Sequence, residues 1–223
     1  MKKTILFAAF LLSISYTGLL AQGSFGIRGG LNFSTASMNS AKQSPYTGPS
    51  NVGSGGVGFQ FGMYGVMDFE LFKIQPEVAY SIQKTKFDLG LNAQNPTYNI
   101  SLIQIPILAR YDFVEDKLHV HAGPRFGIPI VSKIEYAGGG SADIKDNTRG
   151  FEFSFVIGAT GVIPIPDNEV GVTLRYIKGF TDMISEPFSQ TPGGVSRYVG
   201  NMFQLSASYA FNNSGSNSRR RRR

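Results

Sequence analysis

Hydrophobic and polar positions alternate with a period of two along most of the chain, the pattern of strands that present one face to apolar surroundings. The closing stretch NMFQLSASYAF is the cleanest case. Phe203, Leu205, Ala207, Tyr209 and Phe211 share one face, and Gln204, Ser206, Ser208 and Ala210 share the other. Near the start, SFGIRGGLNFS sets Phe25, Ile27, Leu31 and Phe33 against Arg28, Asn32 and glycines. Six more segments follow the rule with lapses: 57–69, 73–83, 98–112, 117–130, 150–163 and 169–180. The pattern predicts eight strands, and no stretch after residue 21 reads as a helix.

The connections between these segments alternate in length. Long stretches (35–56, 84–97, 131–149 and 181–198) are interleaved with short ones around 68–72, 113–116 and 164–168. Outer-membrane barrels combine an even strand number with short periplasmic turns and long extracellular loops, which places both termini in the periplasm. The pattern therefore predicts an all-β fold, an eight-stranded antiparallel up-and-down transmembrane β-barrel. A soluble barrel of lipocalin type would invert the alternation and need roughly a quarter to a third of its exterior charged. Here the polar face is mostly glycine, serine and glutamine, and only 16% of the chain is charged. Aromatics fall near the strand ends, as in interfacial girdles. Tyr111, Phe113, Tyr209 and Phe211 are expected at the periplasmic rim, and Phe33, Tyr80, Tyr98, Phe180 and Tyr198 toward the outer rim.

The two ends of the chain explain its charge and predict its route. The formal net charge is +6. Setting aside Lys2, Lys3 and Arg219 to Arg223 leaves 14 basic against 15 acidic residues, so the body offers no basic face for nucleic acid. Met1-Lys2-Lys3, the apolar run from Ile5 to Leu12 and Ala21 form the three parts of an export signal over 1–21, with the barrel expected over 22–211. Residues 212–223 read as a disordered basic tail on the periplasmic side, whose removal should leave the barrel folded. The chain has no cysteine, which excludes a disulfide framework, thiolate chemistry and a lipoprotein attachment site.

GIRGGLNFS, IQIPILARYDF, HVHAGP, IGATGV, LRYIKGFTDM and the closing QLSASYAF together resemble the PorT-like family of outer-membrane β-barrel proteins. The resemblance spans about residues 23 to 211. It implies the barrel fold and an outer-membrane location, and suggests a secretion-system or other envelope protein as partner. It carries over no catalytic residue. It also implies contact with outer-membrane lipid and with the barrel-insertion machinery, which reads a terminal aromatic, here Phe211.

The face opposite the aromatics carries the candidate chemistry. Arg28, Glu77, Arg110, Arg125, Glu152 and Arg175 are expected to form a lumenal charge network, with Gln60, Lys73 and the histidines His119 and His121 also pointing inward. Isolated charges there would be costly, so the acids should pair with arginines across neighbouring strands. Strand adjacency predicts Glu77 with Arg110 and Arg125 with Glu152, with Arg28 and Arg175 sharing these acids. An eight-stranded barrel is just wide enough for side chains to fill it, so the network reads as a polar core. Its alternative is a charged constriction in a narrow, anion-preferring pore. A third reading, a lipid-modifying enzyme using His119 or His121, has no motif spacing behind it. GSGGVG at 53–58 lacks the ending of a phosphate loop, and no cluster has metal-ligand spacing. The chain is thus expected to be noncatalytic and to need no cofactor.

Overall fold

The computed structural model describes residues 24–40, 55–69, 71–86, 97–114, 117–136, 139–165, 168–185 and 195–211. The expected export signal and the arginine tail lie outside these residues.

Among the described residues nine strands follow one another: β1 (Ser24–Ser40), β2 (Gly56–Asp68), β3 (Lys73–Lys86), β4 (Thr97–Val114), β5 (Leu118–Glu135), β6 (Ser141–Asp143), β7 (Glu152–Ile165), β8 (Asn168–Gly179) and β9 (Val195–Phe211). All are staves of the barrel except β6, a three-residue strand that pairs only with the end of β5. Each stave pairs antiparallel with its neighbours in sequence, and β1 pairs with β9, which closes the sheet. Closure matters physically because a spanning segment in lipid must satisfy every backbone group within the protein. The eight staves thus match the eight segments expected from the alternation. No helix occurs among the described residues.

The alternation places its apolar members outward. Phe25, Ile27, Leu31, Phe33, Phe59, Phe61, Val172, Leu174, Phe203 and Leu205 are all exposed, while Arg28, Asn32, Gln60, Gln75, Thr173 and Gln204 are buried. This is the reverse of a soluble barrel and matches a lipid-facing wall.

Four staves, β1, β3, β5 and β9, run past their expected ends where the long connections lie (the loop end, opposite the turn end). β1 continues past Ser34 to Ser40, paired with the early part of β9. β4 and β5 stay paired up to Thr97↔Glu135. A span of ten residues at ~3.3 Å rise and ~40° tilt already crosses about 25 Å, the height of an apolar band. Beyond that height the outward face no longer needs apolar residues, so the ladder continues after the alternation stops. On β5 the pairs Leu102↔Pro129 and Ser101↔Val131 leave Ile130 as an extra residue. This bulge switches which residues face inward, so the pattern lapses there.

The connections at the loop end are partly folded rather than open. The amide of Ile144 donates to the carbonyl of Ser132, that of Arg149 to Met183, that of Met183 to Tyr198 and that of Ser185 to Asn147. The Asp182 carboxylate accepts from the amides of Ile184 and Tyr198, both at 3.0 Å. Through these bonds the third and fourth long connections are tied to each other and to β5 and β9.

Candidate functional site: the filled lumen

Going from the turn end to the loop end, the lumen is filled at successive levels. Nearest the turns, Asp112 receives Lys73 Nζ at 2.7 Å and Arg110 Nε at 2.9 Å. The next level centres on Glu77. Its Oε1 accepts from Arg28 Nη1, Arg175 Nη2 and Gln75 Nε2, each at 2.6 Å, and its Oε2 accepts from Arg175 Nη1 at 2.8 Å. One carboxylate thus holds two guanidinium groups, Arg175 in the two-pronged geometry that makes such pairs strong. Arg28 lies 5.0 Å from the centre of the Tyr64 ring, a further favourable contact for its charge.

Gly158 explains how this cluster spans non-adjacent strands. The register runs His121↔Gly158↔Arg175, so β7 separates the histidine from the arginine. Because Gly158 has no side chain, Arg175 Nε reaches over it and donates to His121 Nε2 at 2.8 Å. A Cβ at this position would lie 2.7 Å from Arg175 Cγ and 2.8 Å from His121 Nε2. Gly62 has the same role on β2: it sits opposite both Arg28 on β1 and Ala79 on β3, leaving Arg28 free to reach Glu77.

Above this cluster, Leu108, Val156, Ile177 and Met202 form a fully buried apolar level. On β7, Val156 is one lumenal position from Gly158 and one from Ser154, so this level divides the polar lumen in two. On its far side, Arg125 Nη2 meets Glu152 Oε1 at 2.5 Å and Arg125 Nε donates to Ser154 Oγ at 2.6 Å. Arg125 has no exposed surface. At the loop end, Tyr98, Ile100, Leu102, Ile134 and Tyr198 from the wall join Ile144, Met183 and Ile184 from the connections in one buried cluster. Tyr98 and Tyr198 stack with ring centres 6.4 Å apart, and the Tyr198 hydroxyl pairs with that of Thr85 at 3.2 Å.

Each residue expected in the lumenal network points inward, but two sequence expectations are corrected. Glu77 does not pair with Arg110: the register sets Arg110 opposite Lys73, four residues from Glu77, so Arg110 turns to Asp112 while Glu77 takes Arg28 and Arg175. Tyr98 and Tyr198 do not belong to an outer girdle. They lie on the lumenal parity of their strands, 1% and 2% exposed, because the barrel there extends past the band and is filled by an apolar plug. Phe33, Tyr80 and Phe180 do face outward, as do Tyr111, Phe113 and Phe211 near the turns. Phe211 stacks on Phe25 at 6.2 Å and meets Tyr209 edge-on at 4.9 Å. The histidine rings of His119 and His121 are 6.1 Å apart. Asp112 and Gln75 were not singled out in the sequence. Both stand two positions from an expected lumenal charge, and strand parity alone would have found them.

A cavity near the turns, bordered by Arg28, Tyr64, Gln75, Arg110, His119 and Ser208, measures about 10 Å³, room for one water. No group of three or more metal-ligating side chains occurs among the described residues.

Residues 20–185 match the family model of the outer membrane protein beta-barrel domain. The chain belongs to this family. It is an outer-membrane β-barrel protein, with its outward apolar wall facing lipid. No curated protein matches it. Among solved structures it is similar to Ail, the attachment invasion locus protein of Yersinia pestis, at 12% identity and a TM-score of 0.43, covering 85% of this chain and 99% of that one. It is also similar to Neisserial surface protein A, at 15% identity and a TM-score of 0.46, covering 86% and 99%. For OprG of Pseudomonas aeruginosa the identity is 11%, the TM-score 0.44 and the coverage 86% and 97%.

Proposed function

We propose that this outer-membrane barrel is a closed, noncatalytic module of PorT-like type. Its long connections face the cell exterior, both termini lie in the periplasm, and it acts by contacting other envelope or secretion-system proteins. The observation that carries the reading is the filling of the lumen at every level. Three salt-bridged levels, with an apolar level of four fully buried side chains between the second and the third, lead to an apolar plug at the loop end. Ion permeation needs a continuous polar path, and an apolar constriction of this kind opposes it by dewetting. The engagement of His121 Nε2 by Arg175 supports the noncatalytic part, since a general base needs that nitrogen free for the proton it takes.

Planar-bilayer recording of the purified chain tests the closed lumen: no unitary current is expected, and steady conductance steps that change with Arg125→Ala would establish the pore instead. Because the chain has no cysteine, single cysteines introduced at Ser50 and Ser216 test the orientation in whole cells with an impermeant maleimide. Labelling at Ser50→Cys and protection at Ser216→Cys are expected; the opposite result overturns the orientation. Crosslinking in intact cells tests the interaction role. A discrete adduct dependent on the long connections is expected, and its absence at every introduced position defeats that role.

A further inference from the structure

The hydrogen-bonded wall is not uniform around the barrel. The seams β1–β2, β5–β7, β7–β8 and β8–β9 pair residue for residue without a gap, and β1–β9 does so from Phe25 to Asn39. The three seams that involve β3 or β4 are each interrupted. β2–β3 breaks between Tyr64↔Glu77 and Met67↔Ile74, β3–β4 between Pro76↔Ile107 and Ala79↔Gln104, and β4–β5 between Pro106↔Arg125 and Ala109↔Ala122. Every gap contains a proline: the register sets Pro76 across from Gly65, Pro106 across from Glu77 and Pro124 across from Ile107. Lacking an N–H, each proline leaves the carbonyl it faces without its ladder bond.

These gaps lie within the apolar wall. On the outward face Ile74 and Val78 flank Pro76, Ile105 and Ala109 flank Ile107, and Ala122 and Phe126 flank Pro124. Water does not reach such a position in a bilayer, so a lost backbone bond there has no solvent replacement. Proline in a sheet belongs at edges and bulges. Pro129, next to the extra residue Ile130, obeys that rule, whereas Pro76, Pro106 and Pro124 sit inside long paired staves.

The lumen compensates at the same place. Glu77, itself in the β3–β4 gap, binds Arg28 of β1 and Arg175 of β8, two staves whose seams on both sides are continuous. Gln75, in the β2–β3 gap, donates to the same carboxylate, and Lys73 ties β3 to Asp112 of β4. Side chains thus hold β3 to the continuous half of the barrel where its ladders on both sides are interrupted.

We propose that β3 and β4 form a latched panel, a section of wall able to part locally from β2 and β5 along the proline gaps and kept closed by the grip of Glu77 on Arg28 and Arg175. A barrel with a filled lumen can then still change the shape of its lipid-facing wall, which eight continuous seams would not allow. The panel has the same form in either orientation of the barrel.

Amide hydrogen exchange of the full chain in detergent micelles, read by mass spectrometry, tests the panel. Peptides covering 77–79 and 105–108 should exchange about fivefold faster than those covering 172–177 of β8 and 204–208 of β9, since one ladder bond corresponds to about a fivefold change in local opening. Pro76→Val and Pro124→Val restore an N–H at outward positions without altering the lumen, and each should slow exchange in the panel about fivefold. Glu77→Gln weakens the charge-assisted bonds and should speed exchange in the panel about tenfold, with β9 little changed. Wild-type exchange in the panel as slow as in β8 and β9, or no slowing in either proline variant, overturns the weakened wall. An equal acceleration of β9 and the panel by Glu77→Gln overturns the latch, because Glu77 would then support the whole barrel. Heat-dependent gel mobility verifies that each variant is folded, and the two proline variants decide the question even where Glu77→Gln does not fold.

Discussion

At the turn end the lumen is filled by charge, with Glu77 holding Arg28 and Arg175 and Asp112 holding Arg110 and Lys73. At the loop end it is filled by apolar packing, with Tyr98, Tyr198 and Leu102 meeting Ile144, Met183 and Ile184. The first region is built from residues on the staves alone and links β1, β3, β5 and β8 across their neighbours. The second recruits side chains from two connections. A carboxylate between two guanidinium groups fixes direction and distance, because a misplaced partner leaves a buried charge unpaired. Apolar contacts fill volume with little directional demand, so an adaptable plug can be made from segments of irregular backbone.

The largest expected effect comes from removing the centre of the charged region. Glu77→Ala strands two buried arginines, and Glu152→Ala strands one, so both should destabilise by about 3–5 kcal/mol, with Glu77→Ala the larger. Urea unfolding in lipid vesicles measures this, and equal losses would mean that Arg28 draws little from Glu77. Met202→Ala in the dividing apolar level should cost about 2–5 kcal/mol in the same assay, whereas Ile184→Ala in the plug should cost less and mainly increase proteolysis of the connections. If Ile184→Ala matched Met202→Ala, the plug would be part of the cooperative core. Gly158→Ala pushes a methyl between Arg175 and His121 and should cost about 1–3 kcal/mol. Gly161→Ala, three residues along the same strand with nothing within 4 Å of the added carbon, should be neutral or slightly stabilising. The smallest effect expected is that of Tyr198→Phe, which loses the hydroxyl pair with Thr85 for about 1 kcal/mol while keeping the ring stacked on Tyr98.

The outward face was legible in the sequence because it meets one kind of surrounding along the whole band. Phe25, Ile27, Leu31 and Phe33 answer to lipid whatever their strand neighbours are, so period two survives in the sequence. The lumen is different. Whether Glu77 meets Arg110 or Arg175 depends on the register of β3 against β4 and on which intervening positions lack a side chain, and pairing read from strand adjacency alone misses both. Gly158 and Gly62 are the local trace of those bridges, visible in the sequence only once parity has placed them inward. Above the band the alternation loses its cause, which is why Tyr98 and Tyr198 resemble girdle aromatics in sequence and lie in the lumen in the structure. Ile144, Met183 and Ile184 sit in segments with no period at all, and only their contact with the wall reveals them as packing residues.

The seam between β1 and β9 joins the first described strand to the last, with Phe25 opposite Phe211 at one end and Ser40 opposite Val195 at the other. It is the pairing of greatest sequence separation in the fold, and its loop-closure entropy must be overcome before its hydrogen bonds form. Until residue 211 is in place, β1 and β8 each present an unpaired edge able to recruit strands of other chains. A chain truncated before β9 would therefore have no smaller closed form to adopt. The rate of productive folding, and the yield lost to aggregation, should depend on how quickly this last strand meets the first.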